Sequence, residues 1–292
     1  MNWSSRRITA ILSNALLEDQ ATRDATTLAT IDPQQKAMAT ILAKQDCVLA
    51  GIASVQRIFE VFAELEGESH AYPEVSIPQE IFDGVRLHKG EPIASIRHNA
   101  RVLLSCERLI LNVLQHMSGI ATTAREFVDA VEGTGVRILD TRKTVPGLRL
   151  LEKYAVRCGG AFNHRLDLSD GILVKNNHID LAGGVRIAIE RALANRKGEQ
   201  PVEVEVRDMQ ELEGALKYGA ESILLDNMTP AQTREAVARI RQEPRAMKIE
   251  SSGGITLENV RQYAEAGVDY ISVGALTHSA GAVDLSMRIQ SA

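Results

Sequence analysis

Val202-Glu203-Val204-Glu205-Val206 alternates apolar and acidic residues with a period of two. That period marks a strand whose two faces meet different surroundings. The three valines share one face and suit packing against helices. Glu203 and Glu205 share the other, which in a closed sheet points inward. An inward carboxylate needs a cation or a metal beside it, because an unpaired buried charge is costly. Apolar runs that alternate with helix patterns flank the segment on both sides, which argues against a wet edge strand. Strand candidates fall at 136–140, 160–164, 171–175, 202–206, 222–226, 247–251 and 270–274. Helix patterns cover 147–157, 181–197, 208–218, 230–242, 256–266 and 281–290. The last four strand candidates recur every 20 to 25 residues or so, the length of one βα unit. Seven candidates without a GxGxxG fingerprint favour a parallel barrel over an open doubly wound sheet.

Upstream the rhythm differs. Residues 8–19 place Ile8, Ile11, Leu12, Ala15 and Leu16 on one helical stripe. Thr40–Ala43 and Cys47–Ala53 read as strands around a turn, with a helix carrying Val55, Ile58, Phe59 and Phe62 after them. Val85–His88 and Pro92–Arg97 bracket Lys89-Gly90-Glu91 as a hairpin signal. A long helix is expected over about 100–117. The predicted organisation is an N-terminal α/β sandwich (α+β) domain over 1–117, an α/β barrel over 118–278, and a C-terminal helix over 279–292 packing back on the first domain.

Barrel chemistry collects at the carboxyl ends of the strands. Asp140-Thr141-Arg142-Lys143-Thr144-Val145-Pro146-Gly147-Leu148-Arg149 follows the first barrel strand and holds three cations beside a Pro-Gly break. Arginine offers a planar fork matching carboxylate or phosphate oxygens, and lysine adds a point charge. The same alternation turns Lys175, Asp226, Lys248 and Glu250 inward. Each alone reads equally as a structural ion-pair member. Asn163-His164-Arg165 adds another cation, with His164 readable as a satisfied core histidine or as a ligand; His178 and His278 carry the same ambiguity. Ser251-Ser252-Gly253-Gly254-Ile255, with a helix expected near Thr256, and Val273-Gly274-Ala275 are small-residue loops after the last two strands. There, backbone N–H groups can approach a phosphate.

Net charge is −5 over 292 residues, against general nucleic-acid binding but not against a local cationic pocket. No apolar run is long enough to span a bilayer. The residues after Met1 lack a signal-peptide core, and three scattered cysteines suit a reducing cytoplasm. Cys106 and Cys158 read as small core residues rather than nucleophiles. No histidine pair falls at zinc spacing.

Taken in order, Glu107-Arg108, Ser118-Gly119-Ile120-Ala121-Thr122, Asp140–Arg149, Lys153-Tyr154-Ala155-Val156, Gly159-Gly160, Asn163-His164-Arg165, Lys175-x-Asn177-His178, Glu203–Val206, Leu225–Met228 and Glu250–Ile255 resemble the quinolinate phosphoribosyltransferase family, the carboxylating nicotinate-nucleotide pyrophosphorylases. The resemblance runs from about residue 80 to 278. It implies an α/β sandwich joined to an open seven-stranded barrel, and a homodimer or assembly of dimers with shared active sites. It also implies that quinolinate and phosphoribosyl pyrophosphate are the substrates and Mg2+ the cofactor. By matching motif, it implies that Arg142, Lys143, His164, Arg165 and Lys175 hold quinolinate's carboxylates, with Arg108 supplied from the neighbouring subunit and Thr141 a further substrate-binding residue. Glu205 and Asp226 would hold Mg2+ and the ribose side of the donor. Ser252, Gly253, Gly254, Val273, Gly274 and Ala275 would cradle its 5′-phosphate, with His278 near by. Lys143, Lys175, Glu205 and Asp226 are the expected catalytic residues. The alternatives are a related phosphoribosyltransferase acting on a different acid, and a non-catalytic binding protein on the same barrel. Ala161 where the family has a third glycine, Val145 for a threonine, His98-Asn99 where glycine is frequent, and the glycine-free stretch Glu18–Asp24 depart from the family pattern.

Overall fold

A computed structural model describes residues 1–67 and 72–292. Its elements begin with α1 (Arg6–Glu18), α2 (Ala25–Thr30), β1 (Lys36–Ala43), β2 (Cys47–Val48), α3 (Ser54–Glu66), β3 (Glu74–Ser76), β4 (Arg86–Leu87), β5 (Pro92–Asn99) and α4 (Ala100–Ala130). There follow β6 (Arg137–Leu139), α5 (Arg149–Cys158), β7 (Ile172–Val174), α6 (Asn176–Ala182), α7 (Val185–Asn195), β8 (Val202–Val206), α8 (Met209–Lys217), β9 (Ser222–Asp226) and α9 (Pro230–Ile240). The series ends with β10 (Lys248–Ser252), α10 (Val260–Ala264), β11 (Tyr270–Ser272), α11 (Ala275–His278) and β12 (Leu285–Ser291).

The chain divides into two compact units. The first takes Met1–Thr123, Val145–Gly160 and Ala280–Ala292, and the second Ala124–Thr144 and Ala161–Ser279. The first unit holds a four-stranded sheet in the order β12-β1-β5-β3, antiparallel throughout, and a small β2-β4 pair. Ala37, Ala39, Ile41 and Ala43 of β1 are buried while Lys36 and Met38 are exposed, so one face of the sheet carries the core. The ring of Phe59 meets His98 edge-on at 6.1 Å, linking α3 to β5. Gly119 lies where the segment before β12 crosses α4. A Cβ there would stand 2.0 Å from the Gly281 carbonyl oxygen, so only glycine admits the crossing.

Several expectations about these elements need correction. The predicted C-terminal helix is the strand β12, paired with β1 from Ala37↔Ser291 to Ala43↔Leu285, because Leu285, Met287 and Ile289 alternate with polar residues. The bracketed hairpin does not pair with itself: β4 joins β2 and β5 joins β1 and β3. Likewise β1 and β2 belong to different sheets, and β2 stops at Val48. The long helix does not stop at 117 but runs on to Ala130, so the boundary between the units crosses its interior.

The second unit is a six-stranded parallel sheet ordered β6-β11-β10-β9-β8-β7. The seventh expected strand, 160–164, contracts to a single parallel bridge between Phe162 and Leu139, since Asn163 and His164 turn aside to bond Asp140. β6 and β7 are the two ends of the hydrogen-bonded order, so the barrel is open. The predicted helix 181–197 is two helices, split at Gly183 and Gly184, whose φ values are 91° and 123°. Val202, Val204 and Val206 are fully buried, each worth about 1.5–3 kcal/mol of apolar burial.

Candidate active site

The strand ends of the second unit enclose a cavity of about 590 Å³. From β6 come Thr141, Arg142 and Lys143; from the bridge segment, His164 and Arg165; from β7, Lys175. β8 and β9 supply Glu205 and Asp226, joined by Asn227. β10 and β11 supply Glu250, Ser252, Gly253, Gly254, Ser272, Val273, Gly274 and Ala275, and His278 closes the ring from α11. The parallel register explains the gathering, because it sets Ser252 beside Asp226 and Ser272 beside Leu139.

The cations are held in place by buried acceptors. Asp140, fully buried, accepts from the Asn163 side-chain amide at 2.6 Å and from the His164 N–H at 2.8 Å. His164 Nδ1 accepts from the Arg165 N–H at 2.7 Å, which leaves the ring proton on Nε2. Nε2 faces Glu203 at 3.3 Å and Glu250 at 3.5 Å. Burial alone would lower the His164 pKa, but the hydrogen bond to Glu203 and the charges of Glu250 and Glu203 outweigh it and hold it above its usual value. Burial, and then the Glu203 charge, pushes Glu250 up to about 8, against the opposing pull of His164 and a 2.5 Å hydrogen bond from Ser272 Oγ. Arg165 donates to the Gly171 carbonyl at 3.0 Å; burial and the neighbouring Arg142 lower its pKa. Across the mouth, Lys175 Nζ meets Glu205 Oε2 at 3.1 Å. Among the described residues, the Asp226 carboxylate has no ion-pair partner.

The glycine loop after β10 is shaped by contact. Gly253 has φ +94° and a Cβ there would lie 2.3 Å from Asn227 Oδ1. Asn227 is itself left-handed at φ 55°, and its N–H bonds the Ser252 carbonyl at 2.8 Å. The helix expected near Thr256 begins only at Val260; Thr256 N–H is taken instead by the Asn259 side chain at 2.8 Å. The helix-start charge argued from sequence is therefore displaced from the loop, which relies on its own backbone N–H groups.

Some expected residues lie elsewhere. Arg108 is exposed on α4 in the first unit and does not line the cavity. Arg149 opens α5, also in the first unit. Lys248 is exposed at the opposite end of β10, 5.8 Å from the Tyr270 ring centroid, so it shares Glu250's face but not its depth. The His178 ring accepts from the Lys175 N–H at 2.9 Å and caps α6. Ser272 carried no sequence signal beyond its place at a strand end, and Asn227 entered only as part of the Leu225–Met228 motif. The thiols of Cys106 and Cys158 are pushed up by burial, which suits core residues.

Comparison with known proteins gives one picture. The family models for quinolinate phosphoribosyl transferase match the chain over residues 24–118 for the N-terminal domain and 120–288 for the C-terminal domain. The chain is 42% identical to a carboxylating nicotinate-nucleotide pyrophosphorylase of Mycobacterium leprae, over 91% of each chain. It is 40% identical to a chloroplastic one of Oryza sativa, over 96% of this chain and 77% of that one. The solved nicotinate-nucleotide pyrophosphorylase of Ehrlichia chaffeensis superposes with a TM-score of 0.87 at 36% identity, over 96% of this chain and 98% of that one.

Proposed function

The chain belongs to the quinolinate phosphoribosyltransferase family, and we propose that its cavity joins quinolinate to the ribose of phosphoribosyl pyrophosphate with loss of CO2, a step of NAD biosynthesis. One observation carries this reading. Arg142, Lys143, His164, Arg165 and Lys175 converge in a single cavity with three carboxylates, Glu205, Asp226 and Glu250, and two glycine loops. A dicarboxylate needs such a cluster; a monocarboxylate acceptor does not, which disfavours the related enzyme for a different acid.

The residues assign the steps. Arg142, Lys143, Arg165 and Lys175 hold the acid's carboxylates by charge-assisted hydrogen bonds. The loops at Ser252–Gly254 and Val273–Ala275 take the donor's 5′-phosphate on backbone N–H groups. The pyridine nitrogen forms its bond to the ribose C1 as the C1–O bond breaks and pyrophosphate leaves with the electron pair. The sugar carbon is cationic in that transition state, and Glu205 and Asp226 lie where preorganised negative charge stabilises it. The bond from C2 to its carboxylate then breaks. CO2 leaves, the pyridinium nitrogen stabilises the electron pair on C2, and C2 takes up a proton. Glu205 and Asp226 offer hard oxygen donors, and Asp226 has no competing cation, so the pair fits Mg2+. When bound, the metal would neutralise pyrophosphate charge.

Arg108, exposed and outside the cavity, supports a homodimer in which Arg108 of the partner subunit completes each site. No helix among the described residues is long and apolar enough to cross a membrane. The three free cysteines support a cytoplasmic location. The test is release of labelled CO2 from quinolinate with and without the sugar donor. Donor-dependent release supports the reading; equal turnover of nicotinate, or no release, defeats it.

A further inference from the structure

Lys143 belongs to the acid-binding cluster, yet it rests on the phosphate loop. Its side-chain Cδ and His278 Nε2 each stand 3.0 Å from the point where a Cβ on Gly274 would lie. Its main chain is tied to the same loop by Thr277. That residue is 3% exposed and sits in the single turn after Gly274. Thr277 Oγ1 lies 2.8 Å from the Lys143 carbonyl oxygen and 3.2 Å from the Gly274 carbonyl oxygen. A hydroxyl has one proton to give. The Gly274 carbonyl already accepts the backbone N–H groups of Thr277 and His278, each at 3.2 Å. The hydroxyl proton therefore goes to Lys143, the shorter contact. Beneath them, β6 and β11 are paired neighbours, with Val273 N–H bonded to the Leu139 carbonyl at 2.9 Å. The loops after these two strands are thus tied together, below by the sheet and above by Thr277.

We propose that Thr277 is a positioning residue that couples the two halves of the site, so that an anion seated on the Val273–Ala275 loop sets Lys143 for the acid. This rests on the functional reading above. Nothing in the sequence marks the residue, since a buried threonine in a short helical turn ordinarily satisfies itself within the turn. Coupling between sites is reciprocal, so the acid in turn favours the phosphate.

The test is calorimetric titration of quinolinate into the full chain, with and without saturating inorganic phosphate. The parent, Thr277→Val and Thr277→Ser are compared. Valine keeps the shape and removes the hydroxyl; serine keeps the hydroxyl. In the parent, phosphate should tighten quinolinate binding about 5-fold or more, the lower range of ordinary coupling. In Thr277→Val each ligand should still bind alone, and the phosphate effect should fall to about one-fold, where no coupling remains. Thr277→Ser should recover most of it. A merely structural role would weaken both ligands and leave their ratio unmoved. Coupling that persists in Thr277→Val overturns the proposal. So does a parent in which phosphate leaves quinolinate binding unchanged or weakens it, a result that needs no variant to fold. A parent that binds no quinolinate defeats the functional reading itself, and the proposal with it.

Discussion

Lys175 Nζ lies 3.1 Å from Glu205 Oε2, so a cation assigned to the acid and a carboxylate assigned to the donor neutralise each other in the empty site. The lysine side chain is 47% exposed, and solvent screens the pair to less than about 1 kcal/mol. The contact keeps both groups aimed at the cavity without contributing much to folding. Binding either substrate must redistribute it.

Glu205→Gln should therefore leave the melting temperature within a few degrees of the parent, by the usual ~2–4 °C per kcal/mol for a chain of this size. Turnover should fall by about 10²-fold or more, as expected for a lost electrostatic stabiliser. Quinolinate affinity should hold or rise, because Lys175 is released. Melting curves, steady-state rates and titration check the three parts. Turnover within tenfold of the parent would remove Glu205 from the mechanism.

The cluster of His164, Glu203 and Glu250 sets a pH dependence. Burial and Glu203 hold Glu250 protonated up to about 8, whereas the ordinary carboxyl ionises near 4.5. Between those values the folded chain keeps a proton that the unfolded chain has lost, so stability falls as pH rises. Ser272 and Lys175 are the other groups acting on Glu250, and both oppose its shift. Glu250→Gln should thus gain melting temperature relative to the parent as pH rises from 4.5 to 8. A difference that stays flat across that window would mean Glu250 ionises normally.

Gly253→Ala should raise the KM for the sugar donor more than it raises that for quinolinate. The added methyl meets Asn227 Oδ1 at 2.3 Å in a left-handed backbone, so the loop must reshape. The left-handed conformation costs about 1–2 kcal/mol for a residue with a Cβ. Equal effects on both substrates would show that the loop is not a dedicated phosphate cradle.

Arg108→Ala and Arg142→Ala chains, each inactive alone, should regain activity when mixed and allowed to exchange subunits. One hybrid site would then carry both arginines. If exchange is demonstrated by labelled subunits and the mixture stays inactive, Arg108 does not serve a neighbour's cavity.

The sequence carried the barrel because short apolar runs alternate with helix patterns every 20 to 25 residues or so, and Val202–Val206 shows which face turns inward. It carried most of the cavity because cations and glycines follow the strand ends within two or three residues. Alternation gives the face of a strand but not the depth, which is why Lys248 could be grouped with Glu250. Leu285-Ser286-Met287-Arg288-Ile289-Gln290 alternates with a period of two, but after barrel closure the segment also reads as a helix with no strand to serve. The pairing with β1 that makes it a strand depends on residues some 250 positions earlier. Thr277 and Ser272 were silent for a similar reason: each acts through a neighbour brought close only by adjacent strands.

The placement of β12 has a consequence for how the protein is made. It completes a sheet in which its partner, β1, leaves the ribosome before every strand of the second unit, whereas β12 follows them all. Nascent domains ordinarily fold in order of emergence. Here the later unit can close first, and β1 must wait with one hydrogen-bonding edge open. Such an edge invites pairing with other chains. The hazard period ends only when Leu285–Ser291 arrives, so a chain stalled or cut short of that strand would present a sticky ribbon rather than a finished subunit.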